Sequence, residues 1–127
     1  MGYESVRKRV LFVDAEAGIR LTLPRILAKN GFDVTSVANV EDALAEINAE
    51  KFDALLSDLN LPLPGEGFVI VKAMRKLQPH CVNFILTGYP ADESTLQAVD
   101  HEVAHYFTKP VDIEDLVSTI RKKLIPT

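Results

Sequence analysis

A single cysteine excludes an internal disulfide. Cys81 opens an apolar run and reads as a small buried hydrophobe rather than a nucleophile, a usage that suits a reducing cytosol. No stretch approaches the length of a membrane span, and the start MGYESVRKRV lacks the apolar core of a secretory signal. A cytoplasmic location with no membrane partner is therefore the expectation. Basic residues are in deficit: 14 Lys and Arg stand against 18 Asp and Glu, for a net charge of −4. That balance argues against the broad cationic face that direct nucleic-acid binding requires. No strand-like run is followed by a phosphate-cradling glycine loop, since Gly65 and Gly67 are a lone pair in a longer loop. No repeat, low-complexity tract or linker interrupts the 127 residues, so residues 1–127 are expected to form one domain. A chain of that size buries a core without disulfide or metal staples.

What is present centres on FDALLSDLNLP, residues 52–62. Ala54, Leu55 and Leu56 show no polar alternation, as expected of a strand covered on both faces, and the run stops at Asp58. Residues 10–13 form a second such run, stopping at Asp14. Ile19, Leu23, Ile26 and Leu27 then repeat at helical spacing, with Gly31 as the stop and Pro24 as an interruption expected to kink the helix. Residues 32–37 alternate as a short strand. Asn39 caps a helix whose stripe is Val40, Ala43, Leu44 and Ile47. Residues 67–77 read as a helix with Ile70, Val71, Met74 and Leu77 inward. Residues 82–86 are a fourth strand ending at Thr87, 91–101 a weak helix, and 103–107 a fifth strand followed by Thr108-Lys109-Pro110. Asp112 caps a last helix carrying Ile113, Leu116, Val117, Ile120 and Leu124 inward.

Strands alternating with helices imply a parallel sheet with right-handed crossovers and helices on both faces. Ligand crevices in such sheets lie beyond the carboxyl ends of the strands. Asp14, Asp58, Thr87 and Lys109 all stand there. Two carboxylates suit a hard divalent cation, most naturally Mg²⁺, and a hydroxyl with an ammonium suits phosphoryl oxygens. Taken singly, each has a plainer reading as a turn residue or a solvated side chain; only their joint placement points to chemistry.

Four segments in order, LFVDAE, LLSDLNLP, ILTGYP and YFTKPVDIEDL, resemble the motifs of the response-regulator receiver domain of two-component signalling, over nearly the whole chain. The resemblance implies a flavodoxin-like α/β fold with strand order 2-1-3-4-5, acting as a signalling domain rather than an enzyme. It implies that Asp58 is the phosphoacceptor and that Asp14, Asp58 and the backbone carbonyl of Asn60 hold Mg²⁺. Lys109 would contact a phosphoryl oxygen, Thr87 would swing toward the phosphorylated aspartate, and Tyr106 would change rotamer with it. The Lys109-Pro110 bond is expected to be cis. The implied partners are a histidine kinase or phosphotransfer protein and a downstream effector protein. The surface formed by residues 91–101, the fifth strand and the last helix is implied as the signalling face and as a homodimer contact.

Two positions depart from that pattern. Ala15 stands where the family has a second acid, the direct metal ligand; Glu16, one residue on, is a candidate substitute whose plainer reading is a favourable charge at a helix start. One extra residue lengthens the loop at 63–66. Three other readings remain. A receiver silenced by Ala15 would bind partners without phosphorylation. A small phosphatase would use Asp58 as its nucleophile, although Asn60 is not the second acid it needs and no cap domain is present. The zinc-protease pattern His101-Glu102-Val103-Ala104-His105 needs a helix throughout, where the sequence reads as a strand.

Overall fold

The computed structural model describes residues 7–88 and 102–124. Among them the strands are β1 (Arg9–Val13), β2 (Asp33–Val37), β3 (Ala54–Asp58), β4 (Val82–Thr87) and β5 (His105–Thr108). They form one sheet in the order β2-β1-β3-β4-β5, with every neighbouring pair parallel. This is the flavodoxin-like arrangement expected from the sequence. The helices are α1 (Ala17–Lys29), α2 (Val40–Ala49), α3 (Glu66–Leu77) and a C-terminal helix, Ile113–Leu124. No described helix is long and apolar enough to cross a membrane.

The strands alternate in which face they serve, as a pleated strand must. Leu11, Val13, Leu55 and Ile85 pack with Ala43 and Ile47 of α2 and Ile70, Val71 and Met74 of α3. Val10, Phe12, Ala54, Leu56, Phe84 and Leu86 point to the opposite face, against Leu23 and Leu27 of α1 and Leu116, Val117 and Ile120 of the C-terminal helix. All five β3 residues are buried, which is why the run has no polar alternation. Truncating Leu55 or Leu56 to alanine in so closed a core costs about 2–5 kcal/mol.

Helix ends follow the expected chemistry. Asn39 Oδ1 accepts from Asp42 N at 2.8 Å and Asp112 Oδ1 from Asp115 N at 3.0 Å, satisfying first-turn amides. Gly31 follows α1 with φ of +96°, a left-handed turn that glycine adopts freely. The α1 helix runs through Pro24, whose side chain is buried. Lys109-Pro110 is cis, as expected, and so is Leu61-Pro62, which the sequence reading did not single out.

Several expectations need correction. The fifth strand begins at His105, not at residue 103; Val103 is a buried anchor ahead of it, because this edge strand pairs only with β4. His105 is thus in extended backbone, which removes the helix that the zinc-protease pattern requires; His101 lies outside the described residues. Helix α3 starts one residue earlier, at Glu66. Leu77 is half exposed rather than inward, because Gln78 fills the inward position at that end of the sheet. The weak helix at 91–101 also falls outside the described residues.

Candidate functional site

Because β1, β3 and β4 are parallel neighbours, their carboxyl ends lie side by side. The apolar runs stop there, and the acids that end them stay buried because a backbone amide and the Lys109 ammonium satisfy them. Asp14 extends β1 by donating its amide to Val37 O at 3.2 Å. Its side chain is fully buried, with Oδ1 accepting Glu16 N at 2.9 Å in a turn that opens α1. Arg20, one helical turn on, donates to the Asp14 carbonyl at 2.8 Å. The sequence reading missed Arg20; its signal was a cation one turn inside the helix that follows the acid.

Asp58 is the last residue of β3 and is buried, opposite Leu86 in register. Among the described residues its Oδ1 accepts only a long 3.4 Å contact from Asn60 N. The loop beyond it closes tightly. Asn60 Oδ1 accepts Gly65 N at 3.0 Å, Glu66 Oε1 accepts Leu63 N at 2.9 Å, and Gly67 N donates to Leu59 O at 2.8 Å. Residues 63–66 are held in this hydrogen-bonded rim. Gly67 carries a constraint that the sequence reading also missed: a Cβ there would fall inside contact distance of the Asp58 carbonyl oxygen.

Lys109 arrives from the other side. Its amide donates to Thr87 O at 2.9 Å, tying the turn after β5 to the end of β4. Its ammonium donates to Asp14 Oδ2 at 2.8 Å and to Asp58 Oδ2 at 3.2 Å. Glu16 Oε1 stands 3.9 Å from the same nitrogen on a side chain that is 66% exposed. Thr87 is buried at the rim, and Tyr106 lies next to Phe107 in β5, opposite Ile85, packed against the α2–α3 side of the core. Of the residues expected at the site, Asp14, Asp58 and Lys109 are in direct contact; Thr87 and Asn60 border them, and Tyr106 lies further along β5.

The electrostatics are unbalanced. Burial pushes the Asp58 carboxyl above its usual range, the charge of Asp14 adds to the rise, and Lys109 opposes it without cancelling it. Burial alone would lower the Lys109 ammonium, but the hydrogen bond and charge of Asp14, then of Asp58, hold it above its usual value. Two buried carboxylates thus share one cation. That donor set fits a hard divalent cation in kind: oxygen donors only, surplus negative charge, and an Asp58 Oδ1 held by one long contact. It is sparse, because among the described residues no three His, Cys, Asp or Glu side chains are grouped as metal ligands. A buried, weakly solvated carboxylate beside an ammonium is equipped to act as a nucleophile toward a phosphoryl group and to keep the product's charge in check.

Residues 10–121 match the family model of the response regulator receiver domain. The chain is 32% identical over 116 residues to the response regulator protein PilR of Pseudomonas aeruginosa, covering 89% of this chain and 26% of PilR. It therefore spans about a quarter of that relative's length. Among solved structures, a CheY-like response regulator receiver domain protein of Methanospirillum hungatei superposes with a TM-score of 0.84 at 32% identity, covering 94% of each chain. A response regulator of Burkholderia pseudomallei, whose crystal structure holds a phosphorylated aspartic acid, a calcium ion and citrate, matches with a TM-score of 0.75 at 28% identity. That match covers 91% of this chain and 72% of the other.

Proposed function

Because this chain belongs to the response-regulator receiver family, we propose that Asp58 accepts a phosphoryl group from a phosphohistidine on a histidine kinase or phosphotransfer protein. The carrying observation is the position of Asp58 at the end of a fully buried strand, with Oδ2 held by Lys109 and Oδ1 bonded only loosely. Oδ1 attacks phosphorus, the N–P bond of the phosphohistidine breaks, and its electron pair leaves with the imidazole, which takes up a proton. The product is an acyl phosphate. Lys109 orients Asp58 before transfer and afterwards lies within reach of a phosphoryl oxygen.

Asp14, Asp58 and the carbonyl of Asn60 are the groups proposed to hold Mg²⁺, with Glu16 as the reserve carboxylate that Ala15 makes necessary. When bound, the cation neutralises charge on the phosphoryl oxygens. Arg20 fixes the Asp14 backbone, so the buried acid keeps its aim. Thr87, at the rim, would meet the new phosphoryl oxygens, and Tyr106, on the neighbouring strand opposite Ile85, would change rotamer with it. The signal is then a shift of the surface formed by β5 and the C-terminal helix, which also serves as the effector and homodimer contact.

A second reading has its own support. Ala15 removes one carboxylate, and Lys109 sits closer to Asp14 than to Asp58. A receiver so altered would bind its partner without phosphotransfer. Intact mass after incubation with acetyl phosphate separates the two. A single Mg²⁺-dependent phosphoryl adduct, absent from Asp58→Asn, is expected. No adduct in a folded wild-type protein, restored by Ala15→Asp, would establish the silent receiver instead.

A further inference from the structure

At the amino ends of the strands, the opposite end of the sheet from Asp58, a cavity of about 760 Å³ opens between the start of β1, the segments entering β3 and β4, and the end of α3. That volume lies within the roughly 300–1,000 Å³ of small-molecule pockets. Its apolar surface comes from Phe52 and Cys81, both buried, and from half-exposed Leu77. Burial pushes the Cys81 thiol up to about 12 and the charge of Asp53 adds to the rise, so this surface carries no thiolate. A second depression of about 510 Å³ adjoins it and shares Arg9, Lys51, Leu77 and Gln78.

The walls are held in place by polar bonds. Gln78 Nε2 donates to Ile47 O at 2.9 Å and Glu50 O at 2.7 Å, while its Oε1 accepts Phe52 N at 2.8 Å. One side chain thereby joins the ends of α2 and α3 to the entry of β3. The Arg9 guanidinium lies 5.0 Å over the Phe52 ring and donates to Lys51 O at 3.0 Å. A site built this way needs little reordering to accept a ligand.

The charges on the rim point to the ligand's sign. Asp53 Oδ2 is taken by Arg9 N at 2.8 Å, and Asp33 pairs with Arg9 Nε at 3.6 Å. Arg7 reaches only the carbonyls of Ala28 and Phe32, and among the described residues neither it nor Lys51 has a carboxylate partner. The lining thus carries three cations, Arg7, Arg9 and Lys51, against two acids, Asp33 and Asp53, an excess of one positive charge, and Arg7 and Lys51 are the cations without a described carboxylate partner.

We propose that this cavity is a binding site for a small organic anion: an apolar body against Phe52, Leu77 and Cys81, and a carboxylate at the rim between Arg7 and Lys51. It is separate from the phosphoryl site and does not depend on the function proposed for Asp58.

The test is a backbone amide chemical-shift titration of the full chain with 1-naphthoate and, in parallel, with uncharged 1-naphthalenemethanol. Saturable one-to-one binding of naphthoate is expected, with shifts centred on Phe52, Gln78 and Cys81. The uncharged probe should bind about tenfold more weakly, and Arg7→Glu with Lys51→Glu should weaken naphthoate by a similar factor. Asp58→Asn should leave the affinity unchanged. Non-saturable shifts, shifts centred elsewhere, or equal affinity for the two probes would overturn the proposal. The probe comparison uses only the unaltered protein, so it decides the charge requirement even if the double variant fails to fold.

Discussion

Lys109 and Asp14 are joined by a 2.8 Å charge-assisted hydrogen bond across 95 positions of sequence. Asp14 is the more deeply buried of the two acids on this lysine, and its bond is shorter than the 3.2 Å contact to Asp58. The ammonium therefore leans toward the acid that holds the site together and leaves Asp58 incompletely neutralised. Stability and reactivity are divided by that asymmetry.

Removing the lysine strands two buried carboxylates. Lys109→Met should destabilise the domain by about 2–4 kcal/mol, somewhat below the roughly 3–5 kcal/mol for breaking a fully buried pair from one side, because the lysine side chain is partly exposed. Adding Asp58→Asn should recover part of that loss, because one of the stranded charges goes with it. Urea unfolding of the single and double variants at pH 7 measures both; equal stability of Lys109→Met and wild type would refute the pairing.

Asp58 titrates in the direction opposite to a salt-bridged acid. Its carboxyl is raised in the folded state, so its contribution is most favourable below the unfolded value, near 3.8, and is lost as pH rises through the folded value. At neutral pH its charge is a liability. Asp58→Asn should therefore raise Tm by about 2–5 °C at pH 7.5, with the gain shrinking as the pH is lowered toward the acid range. Thermal melts of both proteins across pH 4.5–7.5 give the profile. A gain that grows on acidification would contradict the raised carboxyl.

Lys109 fails at the other end of the scale. Its raised ammonium contributes stability that is complete below about 10.5 and lost as pH rises through the higher folded value. Wild type should lose stability above that point more steeply than Lys109→Met does. Chemical denaturation between pH 9 and 11.5 compares the slopes.

Gly67 and Gly18 should respond oppositely to the same change. At Gly67 an added methyl meets the Asp58 carbonyl and the Leu59 backbone, so Gly67→Ala should cost about 2 kcal/mol or more and slow phosphorylation. At Gly18, in the first turn of α1, no atom stands within 4 Å of an added Cβ, and Gly18→Ala should stabilise by about 0.5 kcal/mol. Equilibrium unfolding of the two variants, with phosphorylation followed by intact mass, checks the contrast.

Ala15 is exposed between Asp14 and Glu16, where a carboxylate is easily accommodated. Ala15→Asp should tighten Mg²⁺ binding roughly tenfold, because hard-cation affinity follows ligand charge and number. It should also lower Tm slightly in chelator through added repulsion. Calorimetric Mg²⁺ titration reads the first effect. An unchanged affinity would mean that Glu16 already supplies the missing oxygen or that no cation binds at these residues.

Much of the fold was legible because its signals are local. The unbroken runs of β1 and β3 marked strands buried on both faces, and Asn39, Asp112 and Gly31 marked helix ends whose capping depends on a few neighbouring residues. Asp14, Asp58 and Lys109 were legible as a site only once parallel strands were inferred, since their shared position at strand ends is a property of the sheet. Misreadings fell where local pattern and tertiary surroundings disagree. Leu77 keeps helical spacing, but the sheet has ended beneath it and Gln78 occupies the inward place. Val103 is apolar enough for a strand, yet the edge pairing begins two residues later.

The sequence by itself determined which segments are strands and helices, which faces they bury, and which polar residue stands at each strand end. Periods of 2 and 3.6 residues and capping chemistry are written in short windows of chain. Only the tertiary structure decided that one ammonium serves two acids unequally, that Arg20 anchors Asp14, that Gly67 has no room for a side chain, and that a cavity rimmed by Arg7 and Lys51 opens at the far end of the sheet. Those are distances between residues remote in sequence. They are set by strand register and by how the crossovers return the chain, which no local pattern encodes.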